Sequence, residues 1–287
     1  MRSGLVSLGL ALLPGLAIAE ELVPLNHFDW DTDLIAGLSG LEVAPDGDSF
    51  LAIGDRGFWL EGRFVRNEGA ISGILIDTLD ALLGENGYPI SARRNGDLSD
   101  AEGLAVASDG TAWVSFERWA RVRRYEIGLE DTPTAVADHP TFHDHAENWQ
   151  LEALALAPDG SLYTFSEKPL PEGFPVYRLE GDNWQIDGYL PEKDLFGLVG
   201  ADFDSNGDLY LLERKLIVGL WWQNRIRRVR LDGSLDEVLW TGERGEYLNL
   251  EGIAVWRDGE GLRLTLVSDN NGDPKDPTQF VEFRLTD

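Results

Sequence analysis

Short apolar runs that carry one acidic residue recur five times along this chain, at intervals of 60, 50, 50 and 49 residues. The acids at this repeated position are Glu42, Glu102, Glu152, Asp202 and Glu251. Self-similarity at a period of about 50 residues is typical of repeat architectures. An ionised carboxylate inside an apolar strand is costly unless it is paired or binds a metal. The pattern therefore predicts a repeat fold and a candidate site together.

Each acidic run continues into a polar turn and then a second β-rich run. The turns lie at residues 45–47, 108–110, 158–160 and 204–207, and each ends in glycine. Two strands joined by an Asp-Gly-type turn are typical of a β-hairpin, because glycine adopts the positive φ that such turns need. Further short strands follow in most repeats. Four short antiparallel strands in about 50 residues are typical of a β-propeller blade.

We therefore predict an all-β fold, a β-propeller formed by residues 20–287 as a single domain. Counting the acidic runs gives five blades, although the 60-residue first interval leaves six blades open. The last repeat shows only three strands of its own. We expect residues 21–30 to supply the fourth, so that an N-terminal strand pairs with the last blade and closes the ring.

The first 19 residues have the pattern of a secretory signal peptide. Arg2 is followed by an apolar run over residues 4–13, and Ala17 and Ala19 form a small-residue cleavage site before Glu20. We expect residues 1–19 to be removed and the protein to be periplasmic or secreted. No later segment approaches the ~20 apolar residues of a membrane span.

Composition narrows the classes of partner. The chain has 51 acidic and 24 basic residues, a formal net charge of −27. Such a surface repels nucleic acid and anionic membranes, whose binding depends on Lys and Arg. The chain has no cysteine, which excludes thiolate metal sites, iron–sulfur clusters and cysteine nucleophiles. We expect a small-molecule substrate, either anionic or an ester.

A second acid ends the second strand of each hairpin, usually with a basic neighbour. The pairs are Asp55-Arg56, Glu117-Arg118, Glu167-Lys168, Glu213-Arg214 and, with no basic residue, Asp269-Asn270. In an antiparallel hairpin the start of the first strand lies beside the end of the second. Ring symmetry then predicts ten acids at one end of the propeller, with the first set nearest the axis.

Crowded carboxylates repel one another, and a divalent cation among them would relieve this repulsion. Oxygen-only ligands favour Ca²⁺ over Zn²⁺. We therefore predict that the first set of acids holds Ca²⁺. The second set would offer a base for the attacking water, and Arg56, Arg118, Lys168 and Arg214 would receive the anionic part of a substrate. The alternative is that the acids only form salt bridges with these basic residues.

Three further patterns are weaker. Residues 202–213 match the spacing of an EF-hand loop, but the strand pattern that follows favours a hairpin turn. His139, His143 and His145 could bind a metal, yet they lie in a polar stretch that favours a solvated loop. Trp221-Trp222 falls in a predicted loop over residues 216–224, where aromatic side chains contact either their own loop or a ligand.

The motifs resemble the phytase-like family called esterase-like activity of phytase over essentially the whole mature chain. They include Leu38-Ser-Gly-Leu-Glu42, Gly54-Asp-Arg-Gly57, Asn249-Leu-Glu-Gly-Ile-Ala254 and Ser268-Asp-Asn-Asn271. The resemblance implies a propeller with phosphoester or ester hydrolase activity. Several of these elements are also similar to those of calcium-activated nucleotidases (apyrases), five-bladed propellers with one Ca²⁺ in the tunnel. The Asp-Asp-Pro-Ala opening of alkaline propeller phytases is absent, which argues against phytate as substrate.

Three functions remain as hypotheses from the sequence. The first is a Ca²⁺-dependent hydrolase of a phosphoester or ester at the tunnel mouth. The second is a Ca²⁺-dependent lactonase, in which the metal polarises a carbonyl oxygen. The third is a propeller that is not an enzyme and binds a ligand or a protein, with a structural metal.

Overall fold

The computed structural model describes residues 20–90, 98–126, 129–144, 149–271 and 276–286. The predicted signal peptide, residues 1–19, and His145 lie outside these ranges. Twenty strands form five antiparallel sheets of four strands each. No helix in the described part of the chain has the length and apolar character of a membrane span.

The sheets are the blades of a five-bladed β-propeller, and the predicted fold is confirmed. Blades 1 to 3 contain β2 Leu38–Val43, β3 Ser49–Gly54, β4 Phe58–Asn67 and β5 Ala70–Ala81; β6 Ala101–Val106, β7 Ala112–Phe116, β8 Arg121–Tyr125 and β9 Thr134–Ala135; β10 Leu151–Leu156, β11 Leu162–Ser166, β12 Phe174–Glu180 and β13 Asn183–Leu190. Blade 4 contains β14 Gly197–Phe203, β15 Leu209–Ile217, β16 Trp221–Val229 and β17 Asp236–Thr241, and blade 5 contains β18 Asn249–Asp258, β19 Gly261–Asp269, β20 Thr278–Thr286 and β1 Glu21–Trp30. A single 3₁₀ turn, Pro140–His143, precedes blade 3.

The N-terminal strand closes the ring as predicted. β1 pairs antiparallel with β20, from Glu21 opposite Thr286 to Trp30 opposite Thr278. The long first interval is explained by the 12-residue strand β5 and by a long connection from blade 1 to blade 2. It contributes no further sheet among the described residues.

The first strand of each blade, namely β2, β6, β10, β14 or β18, faces the axis, and each contacts its two neighbours around the ring. These inner strands approach so closely that a Cβ atom on Gly200 would lie 2.5 Å from the carbonyl oxygen of Glu251. The channel between them has a volume of only about 10 Å³, roughly the space that one water requires. A substrate therefore cannot pass along the axis.

We call the end at which the inner strands begin the mouth, and the opposite end the base. The predicted glycine turns lie at the base, where Gly47, Gly110, Gly160 and Gly207 adopt φ between +74° and +92°. Between the blades, apolar side chains form the core; Trp256 of blade 5, for example, packs with Phe50 and Phe64 of blade 1. This packing fixes the inner strands relative to one another, and with them the side chains at the mouth.

Candidate functional site

Three of the predicted inner acids meet at the mouth. Glu102, Glu152 and Glu251 line the start of the axial channel and are buried, whereas Ser39 and Val199 hold the corresponding places in blades 1 and 4. All five hairpins shift register at this level; the pairing of β10 with β11, for instance, skips Glu152 between Leu151 and Ala153. Because a bulge re-aims the side chain it contains, these shifts turn the three acids away from their own sheets.

The prediction that Glu42 and Asp202 complete this ring is wrong. Glu42 lies opposite Leu51 and Asp202 lies opposite Tyr210, so each is three residues farther along its strand towards the base. Each accepts a hydrogen bond from the inner strand of the next blade, from the backbone N–H of Val106 at 3.2 Å and of Val255 at 2.6 Å. Both carboxylates therefore act as acceptors for backbone amides of neighbouring inner strands. They lie towards the base and not at the mouth.

The second set of acids is placed correctly in four blades. The backbone N–H groups of Asp55, Glu117 and Glu167 donate to the carbonyl oxygens of residues 37, 100 and 150, just before each inner strand, and Asp269 pairs with Asn249. All four acids therefore lie at the mouth, beside the start of the neighbouring inner strand.

In blade 4 the predicted position is off by one residue. Arg214, not Glu213, pairs with Gly197 at the level of the other four acids. Glu213 is fully buried inside the blade, where Arg225 Nε lies 2.6 Å and Arg227 Nη1 lies 3.2 Å from its carboxylate oxygens. Glu213 is thus the centre of a structural ion-pair network and is not available as a base at the mouth.

Arg214 brings a positive charge into the acidic mouth. Its guanidinium donates to Asn249 Oδ1 at 2.6 Å and to the carboxylate of Glu251, and it lies 4.0 Å from Glu152. Trp222 covers it from the other side, with the guanidinium carbon 5.0 Å from the ring centre. Burial alone would lower the pKa of Arg214, but Glu251 and Glu152 outweigh this effect and raise it. The side chain is therefore always charged.

Sequence reasoning missed one acid at the mouth. Carboxylate oxygens of Asp100, Glu102 and Glu117 lie within 4.8 Å of one another, close enough to share one cation. Asp100 precedes β6 by one residue, and the other blades have Gly37, Gln150, Gly197 and Asn249 at this place. Its position two residues before the repeated acid Glu102 was the only sequence signal, since the other blades have no acid at this place.

Burial and mutual repulsion raise the pKa of these carboxyl groups. Burial is the main cause for Glu117, whose pKa is about 8 with Asp100 adding to the effect, and for Asp55, whose pKa is about 7. Burial also raises the pKa of Glu251 to about 7 and of Asp269 to about 6. In Glu102, burial and then the charge of Glu152 raise the pKa well above its usual range. These carboxyl groups therefore lose their protons less readily than isolated carboxyl groups, unless a cation balances their charge.

The basic neighbours of these acids lie at the rim of the mouth. Lys168 Nζ is 2.9 Å from Glu167 and Arg118 Nε is 3.2 Å from Asp100. Arg56 lies 4.0 Å from Asp55 and is about half exposed. Lys168 and Arg118 therefore form the salt bridges of the alternative hypothesis. The contact of Arg56 with its acid is the longest of the three.

A cleft of about 620 Å³ opens beside Arg56, between the β1–β2 connection and the mouth end of blade 1. Its walls include apolar side chains of Ile35, Phe58 and Ile90, together with Asn270, which directly follows Asp269. Asp55, next to Arg56 in the chain, has a buried Oδ1 atom without a hydrogen-bond partner. Asp55 itself does not line the cleft, but the residues that follow it, Arg56 to Phe58, do.

The weaker sequence patterns have structural explanations. Residues 204–208 form a hairpin turn in which Asp204 accepts from the amides of Asn206 and Asp208, as expected. His139 caps the 3₁₀ turn by accepting from the Thr141 amide. The predicted loop over residues 216–224 is wrong, because β15 and β16 continue as a paired hairpin through Ile217 and Trp221.

Comparisons with known proteins find similar solved structures and a matching family model. The PQQ-bound aldose sugar dehydrogenase of Streptomyces coelicolor is 13% identical, with a TM-score of 0.51 over 93% of this chain and 99% of the other. The gluconolactonase XC5397 of Xanthomonas campestris is 13% identical, with a TM-score of 0.48 over 91% and 89% of the two chains. No curated protein matches the chain in sequence. The phytase-like family, described as esterase-like activity of phytase, matches residues 33–272, and the chain therefore belongs to this family.

Proposed function

We propose that this chain is an exported, Ca²⁺-dependent hydrolase that cleaves an ester bond of a small molecule at the propeller mouth. The observation that carries the proposal is the group of Asp100, Glu102 and Glu117, whose carboxylate oxygens lie within 4.8 Å of one another beside the buried Glu152 and Glu251. Family membership supports an ester-cleaving activity.

The donor set fits a hard divalent cation. The group of Asp100, Glu102 and Glu117 offers only carboxylate oxygens, and Ca²⁺ takes six to eight oxygen ligands. Asp100, Glu102, Glu117, Glu152 and Glu251 would hold it. When bound, Ca²⁺ would supply a Lewis acid that polarises the oxygen of the scissile group.

Asp55 is the best placed general base. Its side chain is about one third exposed, the next residue, Arg56, lines the cleft, its Oδ1 has no hydrogen-bond partner, and burial raises its pKa to about 7. A base is most effective when its pKa is near the working pH. Asp269, the acid that holds the same position in blade 5, is less available because its Oδ1 accepts from the Asn271 amide at 2.7 Å. Asp55 would take the proton of the attacking water.

Arg56 would orient the substrate. It lines the cleft, is about half exposed, and keeps 4.0 Å from Asp55. Its guanidinium can donate to an oxygen of the scissile group or to an anionic group of the leaving part. Arg214 has a different role, because it is buried against Glu251 and Asn249 and holds these side chains in place.

The charge of the mouth favours a carboxylic ester or a lactone over a phosphoester. Eight carboxyl groups (Asp55, Asp100, Glu102, Glu117, Glu152, Glu167, Glu251 and Asp269) face four basic side chains (Arg56, Arg118, Lys168 and Arg214). When all eight carboxyl groups are ionised, one Ca²⁺ and the four basic side chains would still leave an excess of negative charge, which repels a phosphate group but not an uncharged ester. The cleft that Arg56 lines has apolar side chains in its walls, which favour the same uncharged esters and lactones.

The test is hydrolysis of aryl acetates, lactones and aryl phosphates with Ca²⁺ and with a chelator. We expect turnover of the uncharged substrates that disappears on chelation and returns with Ca²⁺. Glu102→Gln and Glu251→Gln should each weaken Ca²⁺ binding at least about tenfold, measured by calorimetry, because each removes a ligand charge.

Glu42→Gln is the matched control, since Glu42 is also on an inner strand but lies towards the base. It should bind Ca²⁺ like the wild-type protein. Equal losses in all three variants, or activity that persists in the chelator, would contradict the proposed site.

A further inference from the structure

The two ends of the propeller differ in their exposed side chains. Among the described connections between strands, exposed large apolar side chains occur at the mouth and none occurs at the base. Those that matter here are Leu34, Trp119, Trp149, Leu195, Val218 and Leu220, between 48% and 80% exposed. Leu34, Trp149 and Leu195 lie in the connections that enter blades 1, 3 and 4, whereas Trp119, Val218 and Leu220 lie in the turns between the second and third strands of blades 2 and 4, at the same end of the propeller as the acids of the mouth.

Three of these residues have an unfavourable backbone conformation. Trp119, Leu195 and Val218 have φ of 54°, 62° and 47°, in the left-handed region where Gly, Asn and Asp are usual. Turn geometry alone does not call for a large apolar residue at such positions, least of all for the β-branched Val218. A strained residue that persists is a reason to look for function, and here the shared property is an exposed apolar group.

The hairpin of blade 4 carries the most prominent part of this surface. β15 continues three residues beyond Arg214 to Ile217, about 10 Å at the usual rise per residue. A tight turn through Val218 and Gly219 closes it, with the Leu220 N–H donating to the Ile217 carbonyl at 3.0 Å. In blades 1 to 3 the corresponding strands end at Gly54, Phe116 and Ser166, just before the acids. The hairpin therefore rises above the rim.

The hairpin is connected to the site by direct contacts. Trp222, on its second strand, stacks on Arg214, and Arg214 contacts Glu251 at the start of the channel. A molecule held against the apolar tip thus lies on the same face as the carboxylates and the cleft. This continuity points to the substrate, and not to an unrelated partner, as the occupant.

We infer that the mouth face binds the apolar surface of an aggregated, uncharged ester, such as a droplet of a water-insoluble triester. The inference rests on the proposed ester hydrolysis and adds the physical state of the substrate. The net charge of −27 opposes binding to an anionic surface, and the uncharged ester of the proposed function forms a neutral one. Burial of the exposed apolar side chains supplies the binding free energy.

The test uses the full protein with Ca²⁺ and tributyrin, below and above the concentration at which it forms droplets. We expect the rate per enzyme to rise about tenfold or more once droplets form, the factor expected from burying even one large apolar side chain. Flotation with triolein droplets gives a second measurement that does not depend on catalysis, and the wild-type protein should float.

The double variant Val218→Asn/Leu220→Ser keeps a good turn, because Asn prefers the left-handed conformation of Val218. It should stay in the aqueous phase and lose the rise in rate. The control Leu75→Ser/Val238→Ser changes two exposed apolar residues of outer strands and should float. Wild-type protein that does not float, or a double variant that floats equally well, would overturn the inference. Failure to hydrolyse a dissolved aryl acetate would instead contradict the proposed function, while flotation would still report on the surface.

Discussion

The Arg214 guanidinium donates to the carboxylate of Glu251, and this contact joins blades 4 and 5 at the mouth. Arg214 occupies the strand position that holds Asp55, Glu117, Glu167 or Asp269 in the other blades. One basic residue in a ring of acids makes the site asymmetric. It holds Glu251 and Glu152 on one side and leaves Asp100, Glu102 and Glu117 as the closest group of carboxylates.

Replacing Arg214 should destabilise the protein. Arg214→Met leaves Glu251 and Glu152 buried without a counter-charge, and breaking a buried pair costs about 3 kcal/mol. We expect a loss of this size in urea unfolding at pH 8 and a smaller loss at pH 6, where Glu251, with a pKa of about 7, is mostly protonated. Arg63→Met is the control, because its pair with Asp77 is exposed and screened by solvent, and its loss should be much smaller than that of Arg214→Met. Equal losses would mean that Arg214 is not a buried partner.

Glu213 should matter for stability and not for Ca²⁺. Glu213→Gln removes the charge that faces the fully buried Arg227 and the nearly buried Arg225, so we expect a loss of about 3 kcal/mol in the free energy of unfolding. Calorimetry should show unchanged Ca²⁺ affinity. The exposed Glu61→Gln is the control for stability. Weaker Ca²⁺ binding with an unchanged free energy of unfolding would contradict this prediction and indicate that Glu213 acts at the mouth.

Without divalent cations the protein should become less stable as the pH rises. The pKa values of Asp269, Asp55 and Glu117 in the folded protein, about 6, 7 and 8, are raised above the unfolded values near 4. Protons therefore bind more tightly to the folded chain, and their stabilisation is complete below about pH 4 and is lost as the pH rises towards 8.

Melting temperatures in a chelator should fall steadily between pH 5 and pH 8.5. Saturating Ca²⁺ should flatten this slope, because it replaces protons as the counter-charge. A melting temperature in the chelator that is constant or rises over this range would contradict the raised pKa values.

Asp55 should control the pH dependence of hydrolysis. Asp55→Asn removes the proposed base, and we expect the rate to fall at least about 10²-fold with Ca²⁺ affinity retained. In the wild-type protein the rate should rise with pH to a plateau above about pH 7, since Asp55 acts only when ionised. Asp80→Asn, an exposed acid of the same cleft, is the control. A variant with the same rise in rate around pH 7 would show that another group is the base.

Strand pattern and turn chemistry were enough to predict the fold. The glycine turns at the base, the period of about 50 residues and the N-terminal strand Glu21–Trp30 are local properties, and each is confirmed. The site was predicted less completely. Glu102, Glu152 and Glu251 lie together at the mouth, whereas Glu42 and Asp202 are displaced by three residues, and Glu213 by one.

These displacements share a physical cause. Apolar residues surround an acid equally at both levels of an inner strand, so composition does not distinguish the mouth from the base. The level is decided by backbone pairing, including the bulges beside Glu152 and Glu251, and by amides such as those of Val106 and Val255 that need an acceptor on the next blade.

The amino-acid sequence by itself determined that the chain forms five antiparallel sheets in a closed ring with acids on the inner strands, because hydrophobic period and glycine turns act over a few residues. The packing of the blades sets which acids share the mouth, and it brings Arg214 and Asp100 among them. Contacts between blades far apart in sequence set these positions, and a shift of one residue in strand pairing moves a side chain from the mouth into the core.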